Sequence, residues 1–186
     1  VSGSMESLDI KSLTNSLNKM IKNQSLGKGK VTITLSKFDN EFQIIYKNID
    51  SKNLKINPED INPRGMTALT SALGRFIYLG GDILLNMKEE RPGTVIFILV
   101  SDGKTNIDKL DDYEEYKSID SKFIGLNGKE EVKKCIEIQK NIYNWKFFFL
   151  GTNMNVMKVG KEYGFNPETT IEYDYSPEGA RRCLSA

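Results

Sequence analysis

Histidine is absent from all 186 residues of this chain. Without an imidazole there is no Ser–His or Cys–His catalytic pair, and a zinc centre loses its usual nitrogen ligand. Cysteine is scarce as well. Cys135 and Cys183 lie on separate segments and form no ligand-spaced pair, so any bound metal must use oxygen donors. Free thiols suit a reducing compartment, and the sequence shows no signal peptide, so the expected location is the cytoplasm. An excess of one charge is also lacking. Lys plus Arg number 26 against 25 acidic residues, a net charge of +1, which gives no clustered basic footprint for a nucleic acid. No apolar run is long enough to span a bilayer. There is no internal repeat and no low-complexity segment.

What remains is ordinary globular composition, 39% hydrophobic and 27% charged. The length predicts a single domain over residues 1–186 with a real core. Its most informative stretch is Thr94 to Asp102, TVIFILVSD, followed by Gly103. The unbroken apolar run Val95–Val100 is rich in β-branched residues, which favours a strand over a helix. A strand without polar alternation needs cover on both faces, as in a parallel sheet between helices. It ends in Ser101 and Asp102, so a carboxylate stands at the carboxyl edge, where open α/β sheets bind ligands.

The other elements alternate around it. Ile10, Leu13, Leu17, Met20 and Ile21 share one helical face, which Gly27 and Gly29 bring to an end. Val31–Phe38 and Phe42–Tyr46 form a hairpin about Asp39-Asn40, and residues 48–66 are expected to be loop. Leu69 to Met87 carries a long 3.6-residue period that starts at or just before Thr67. Residues 102–128 show no clear period and suggest an insertion. A helix around Val132–Ile142, the buried strand Trp145–Leu150, a short helix over Val156–Tyr163 and a last strand Thr169–Tyr173 follow. Ser176-Pro177-Glu178 resembles a helix start. The predicted class is α/β: a doubly wound, mostly parallel sheet with one antiparallel hairpin edge and helices on both faces.

Three oxygen-bearing pieces fall at strand-to-loop or loop-to-helix junctions: Ser2 with Ser4, Thr67, and Asp102. Neutral hydroxyls with one carboxylate make a hard donor set suited to Mg²⁺ or Mn²⁺. A metal so held stays electrophilic and seeks a carboxylate from outside. In that order and at those junctions, Val1-Ser2-Gly3-Ser4-Met5, Gly65-Met66-Thr67-Ala68-Leu69 and Val100-Ser101-Asp102-Gly103 resemble the metal-ion-dependent adhesion site of von Willebrand factor A (vWA) domains. ERPGTVIFILVSDG, WKFFFLGTN and YSPEGA extend the similarity over nearly the whole chain, towards stand-alone bacterial and phage-type members. The resemblance implies that Ser2, Ser4 and Thr67 touch a Mg²⁺ (or Mn²⁺) directly and that Asp102 reaches it mostly through water. It implies no catalysis, but a metal-assisted protein-binding module whose partner presents an Asp or Glu. It also implies that the family's first aspartate and first central strand would precede Val1, so that this chain is N-terminally truncated relative to the pattern. Asp102 is then the only acid, and the metal affinity is expected to be weak.

Plainer roles compete for each residue. Ser2-Gly3-Ser4 is also a linker composition, Thr67 is a preferred helix N-cap, and Asp102-Gly103 is a common turn. Asp39 is best explained by its hairpin turn, and Phe147–Phe149 by the core. Thr105, Asn106 and Asn153 are placed on the site rim by position alone. Two other functions stay open. One is a Mg²⁺-dependent phosphoryl-transfer or phosphoesterase domain using Asp102, against which stands the absence of a G-x-x-x-x-G-K-[ST] string or a second adjacent carboxylate. The other is a scaffold with a vestigial metal site.

Overall fold

Helix α1 (Ile10–Ser25) is the first described element, and Asp9 caps it by accepting a 3.0 Å bond from the Ser12 amide. The computed structural model describes residues 9–62, 66–87, 91–101, 105–151 and 156–172. Strands β1 (Thr32–Phe38) and β2 (Phe42–Asp50) form the expected antiparallel hairpin. At its turn the Asp39 carboxylate accepts the Glu41 amide at 2.8 Å, as an Asx-type turn requires. β2 runs past the expected end at Tyr46. The register slips between Ile33 and Leu35 and again between Leu35 and Ser36, and Asn48 takes a left-handed φ of 53°. Bulges of this kind break the apolar–polar alternation while the strand continues.

Residues 51–61 were expected to be loop but hold two 3₁₀ turns, Ser51–Asn53 and Pro58–Ile61. The side chain of Asn18 on α1 grips the segment between them. It donates to the Ile56 carbonyl at 2.8 Å and accepts the Ile56 amide at 2.9 Å. Ile56 and Ile61 are thereby buried beside Leu13 and Ile21 of α1.

The second sheet is parallel and ordered β3–β4–β5, from β3 (Ile96–Ser101), β4 (Lys146–Gly151) and β5 (Thr170–Glu172). β3 and β4 are neighbours, as the two apolar runs predicted. α2 (Leu69–Asn86) leads into β3, the one-turn α3 (Lys117–Asp120) and α4 (Gly128–Tyr143) lie between β3 and β4, and α5 (Val156–Glu162) joins β4 to β5. Alternate side chains go to opposite faces. Phe97, Leu99, Phe147 and Phe149 meet Leu73 and Ile77 of α2, Val132 and Ile136 of α4, and Val156 and Val159 of α5. Ile98, Val100, Leu150 and Ile171 meet α1 on the other side. Helices therefore cover both faces, and the architecture is mixed α/β with a parallel sheet and an antiparallel hairpin.

Two details fix the aromatic side. α4 ends at Asn144, left-handed with φ 55°, which turns the chain so that the Trp145 ring stacks on Phe147 with centroids 5.9 Å apart. The tip of that ring fills the space beside Gly80, where an added Cβ would lie 3.2 Å from it. Gly74 faces the ring of Phe123 so closely that a Cβ there would overlap it.

The aperiodic segment after β3 is anchored by charge. Arg75, on the apolar face of α2, is only 1% exposed. Its Nε and Nη2 both bond the fully buried Asp120 carboxylate, and its Nη1 reaches Asp112 at 2.7 Å. Its guanidinium also lies 4.2 Å from the Tyr116 ring centroid. Burial opposes the charge on Arg75, but the bonds to Asp120 and Asp112 outweigh it and raise the pKa.

Candidate functional site at the carboxyl edge

Thr67 is the one proposed metal ligand within the described residues. Ser2, Ser4 and Asp102 lie outside them, as do Gly65, Gly103, Asn153 and the Ser176-Pro177-Glu178 segment. Ser101, which precedes Asp102, closes β3 and is buried.

The surroundings of Thr67 separate two of its readings. α2 starts at Leu69 with Ala68 as its N-cap, and no side chain makes a cap bond there. Thr67 is therefore one residue outside the cap position, and the helix-cap role expected as its plain explanation is not what it does. Its backbone is instead locked to the segment following β3. The Thr67 amide donates to Asn106 Oδ1 at 2.6 Å. The Thr67 carbonyl accepts from the Asn106 amide at 3.0 Å, the Ile107 amide at 3.4 Å and Thr105 Oγ1 at 3.2 Å. One turn on, Ser71 Oγ donates to the Asp108 carbonyl at 2.6 Å. The neighbouring Ala68 amide reaches the other way, to the Asp39 carbonyl at 2.9 Å. Thr67 thus bridges the β1–β2 turn and the segment after β3, with its side chain 2% exposed.

The same bonds orient the two sheets. Asp39 follows β1 and residues 105–107 follow β3, and both touch the entrance to α2. β1 and β3 therefore run the same way and finish at one rim. Asn106 was placed there by position alone, and the structure gives it a definite part as the acceptor for the Thr67 amide. Asp39 also sits at this rim, buried, with its carboxylate engaged in the hairpin turn. The sequence signal for Asp39 favoured the turn, and the turn bond is present.

Among the described residues no group of three or more His, Cys, Asp and Glu side chains could hold a metal ion. Of the proposed ligands the described part of the rim holds Thr67, whose hydroxyl fits a hard cation by donor type but does not make a metal centre alone. A shallow cleft lined by Glu41, Phe42, Gln43, Asp111 and Asp112 lies beside the hairpin turn. No described helix is long and apolar enough to cross a membrane. No family model matches the chain, and no curated protein matches it.

Proposed function

We propose that this chain is a non-catalytic protein-binding module of the vWA type, in which a Mg²⁺ or Mn²⁺ bridges to an Asp or Glu of a partner. The observation that carries the reading is the clasp between Thr67 and Asn106, which ties the threonine motif to the segment following the Val100-Ser101-Asp102-Gly103 motif. Thr67 of one motif and Ser101 of another, the parts of the two within the described residues, stand by this rim, which supports the reading. Ser2, Ser4 and Thr67 would supply neutral oxygens, and Asp102 the only negative charge. A metal so held keeps most of its positive charge for an incoming carboxylate, which is the chemistry it would supply.

Binding of Mn²⁺ by this chain, followed through its paramagnetic broadening of amide resonances, tests the reading. Broadening is expected to centre on Thr67, Asn106 and Ser101, and to weaken in both Thr67→Ala and Asp102→Ala. With a single acid the expected affinity is low, because Mg²⁺-type sites are normally held through one or two carboxylates. Broadening centred elsewhere, or unchanged in Asp102→Ala, would show that the ligand set is wrong.

A further inference from the structure

Charge that balances over the whole chain is unevenly placed along it. Residues 10–38 hold six lysines and no Asp or Glu, while the rest of the chain has 20 basic against 25 acidic residues. The fold lays part of this excess on one flank of α1. Lys11, Lys19 and Lys22 are exposed there. With Asn15 and Leu26 they fall within an arc of about 80° and a length of about 22 Å, given the turn and rise of an α-helix. Lys28 follows the helix, and Lys52 and Lys55 come alongside it, because the Asn18 side chain holds the backbone of Ile56. Among the described residues none of these six ammonium groups is in an ion pair. The flanking acids Asp9 and Asp50 are engaged as caps, on the Ser12 and Lys52 amides, and Glu59 is the next exposed acid along the chain.

The stripe works against its own helix. Lys22 suits the last turn of α1, but Lys11 stands in the first, the positive end of the helix dipole, and no acid shares that turn. Lys19 and Lys22 are like charges one turn apart, an arrangement that also weakens a helix. α4 shows the ordinary pattern within the same fold. It has Glu130 and Glu131 in its first turn, Lys140 in its last, and Glu131 paired with Lys134 at 2.6 Å. A local rule broken without gain to the fold marks a surface kept for another use.

The composition of the stripe selects its occupant. It carries lysine but neither arginine nor an aromatic ring, so it lacks both the planar fork for paired recognition and a stacking platform for a nucleic acid. Its apolar member, Leu26, is 77% exposed between Lys22 and Lys28. Lysines spread over a convex flank around a protruding apolar side chain match a surface of anionic headgroups with hydrocarbon beneath. The apolar face of α1 is already committed to the core through Leu13 and Ile21, so the helix would lie on such a surface without entering it. We propose that this flank of α1 attaches the protein peripherally to an anionic lipid bilayer, with the lysines at the headgroups and Leu26 in the layer below. Attachment does not depend on the metal reading, which concerns the Thr67 rim.

The probe is vesicles of phosphatidylcholine mixed with phosphatidylserine, compared with phosphatidylcholine alone, and binding is read by flotation. The mixed vesicles should bind the protein at low salt and release it as salt rises. Each lysine at such a surface is worth about fivefold in partitioning, so Lys11→Gln, Lys19→Gln and Lys22→Gln together should lower it about a hundredfold. Lys117→Gln, Lys134→Gln and Lys161→Gln, on exposed positions of α3, α4 and α5, change the net charge equally and should leave binding nearly unchanged. Leu26→Ser should weaken it. The proposal is overturned if phosphatidylcholine alone binds as well, if the two lysine triples behave alike, or if Leu26→Ser has no effect. A short DNA duplex held more tightly than the vesicles at the same salt would make the occupant a nucleic acid and overturn it too. The first triple should melt no lower than the parent protein; a lower melting temperature would show that the stripe serves the fold and not a membrane.

Discussion

The two faces of the parallel sheet are built differently. Under α2, α4 and α5 the core is aromatic and closed: Phe76, Phe97, Phe147, Phe165 and Phe149 form a chain of rings with successive centroids 5.1–6.2 Å apart. Under α1 it is aliphatic and only partly closed, with Ile10, Leu17, Ile33, Leu35, Ile98 and Val100 all half-buried around a smaller buried set. The difference shows within single strands: on β3, Phe97 and Leu99 are buried on the aromatic side, while Ile98 and Val100 are half-buried on the other. β4 is hydrogen-bonded on both sides, and Phe147, Phe149 and Leu150 are fully buried. Among the described residues β1 pairs with β2 and β3 with β4, and the α1-facing Ile33, Leu35, Ile98 and Val100 stay half-buried.

Substitutions can break or sharpen this contrast. The largest loss is expected from Asp120→Ala, which leaves Arg75 buried on the closed side with half its partners gone, at about 3–5 kcal/mol. Phe149→Ala on the same side should cost a similar ~3–5 kcal/mol, since the rings around it have little room to collapse. Leu13→Ala, in the open aliphatic cluster, should cost only about 2 kcal/mol, the low end for such truncations, because half-exposed neighbours can close the gap. Urea denaturation of the three variants measures all of these, and equal losses for Phe149 and Leu13 would refute the contrast. Thr67→Ala should cost about 1 kcal/mol, as its backbone clasp survives the change. The smallest effect belongs to Lys129 and Glu162, a half-exposed pair at 2.7 Å. The Lys129 bond holds the Glu162 pKa below its ordinary value. The pair's contribution is therefore present above the ordinary carboxylate range and lost as pH falls through the lowered value. Glu162→Gln should remove about 0.2–1 kcal/mol at neutral pH and nothing in acid.

The periodic parts of the fold were legible in the sequence. The 3.6-residue patterns gave α1, α2 and α4 close to their observed bounds, and the two apolar runs gave β3 and β4 as neighbours. The end of β2 was not legible, because the bulge at Asn48 throws its last residues out of alternation. Nor was the segment after β3, which is held by Arg75 with Asp112 and Asp120 rather than by an apolar pattern. An arginine on the apolar face of α2, between Gly74 and Phe76, was the available signal. At the rim, the sequence placed Thr67 at the entrance to α2 but offered the helix cap as its plain role. The structure moves the cap to Ala68 and gives the Thr67 amide to Asn106. That pairing joins residues 39 apart, and no local pattern encodes it.

Trp145 is the only tryptophan in the sequence, and it is 5% exposed, wedged between Phe147 and Gly80. Its fluorescence is consequently a one-sided reporter. Emission should be blue-shifted while α2 and β4 stay packed, and should move to the red when that side opens. Detachment of α1 or the hairpin would leave it dark to the change. A melt followed by Trp145 and by far-ultraviolet circular dichroism together would therefore show whether the two faces come apart in one event or in two.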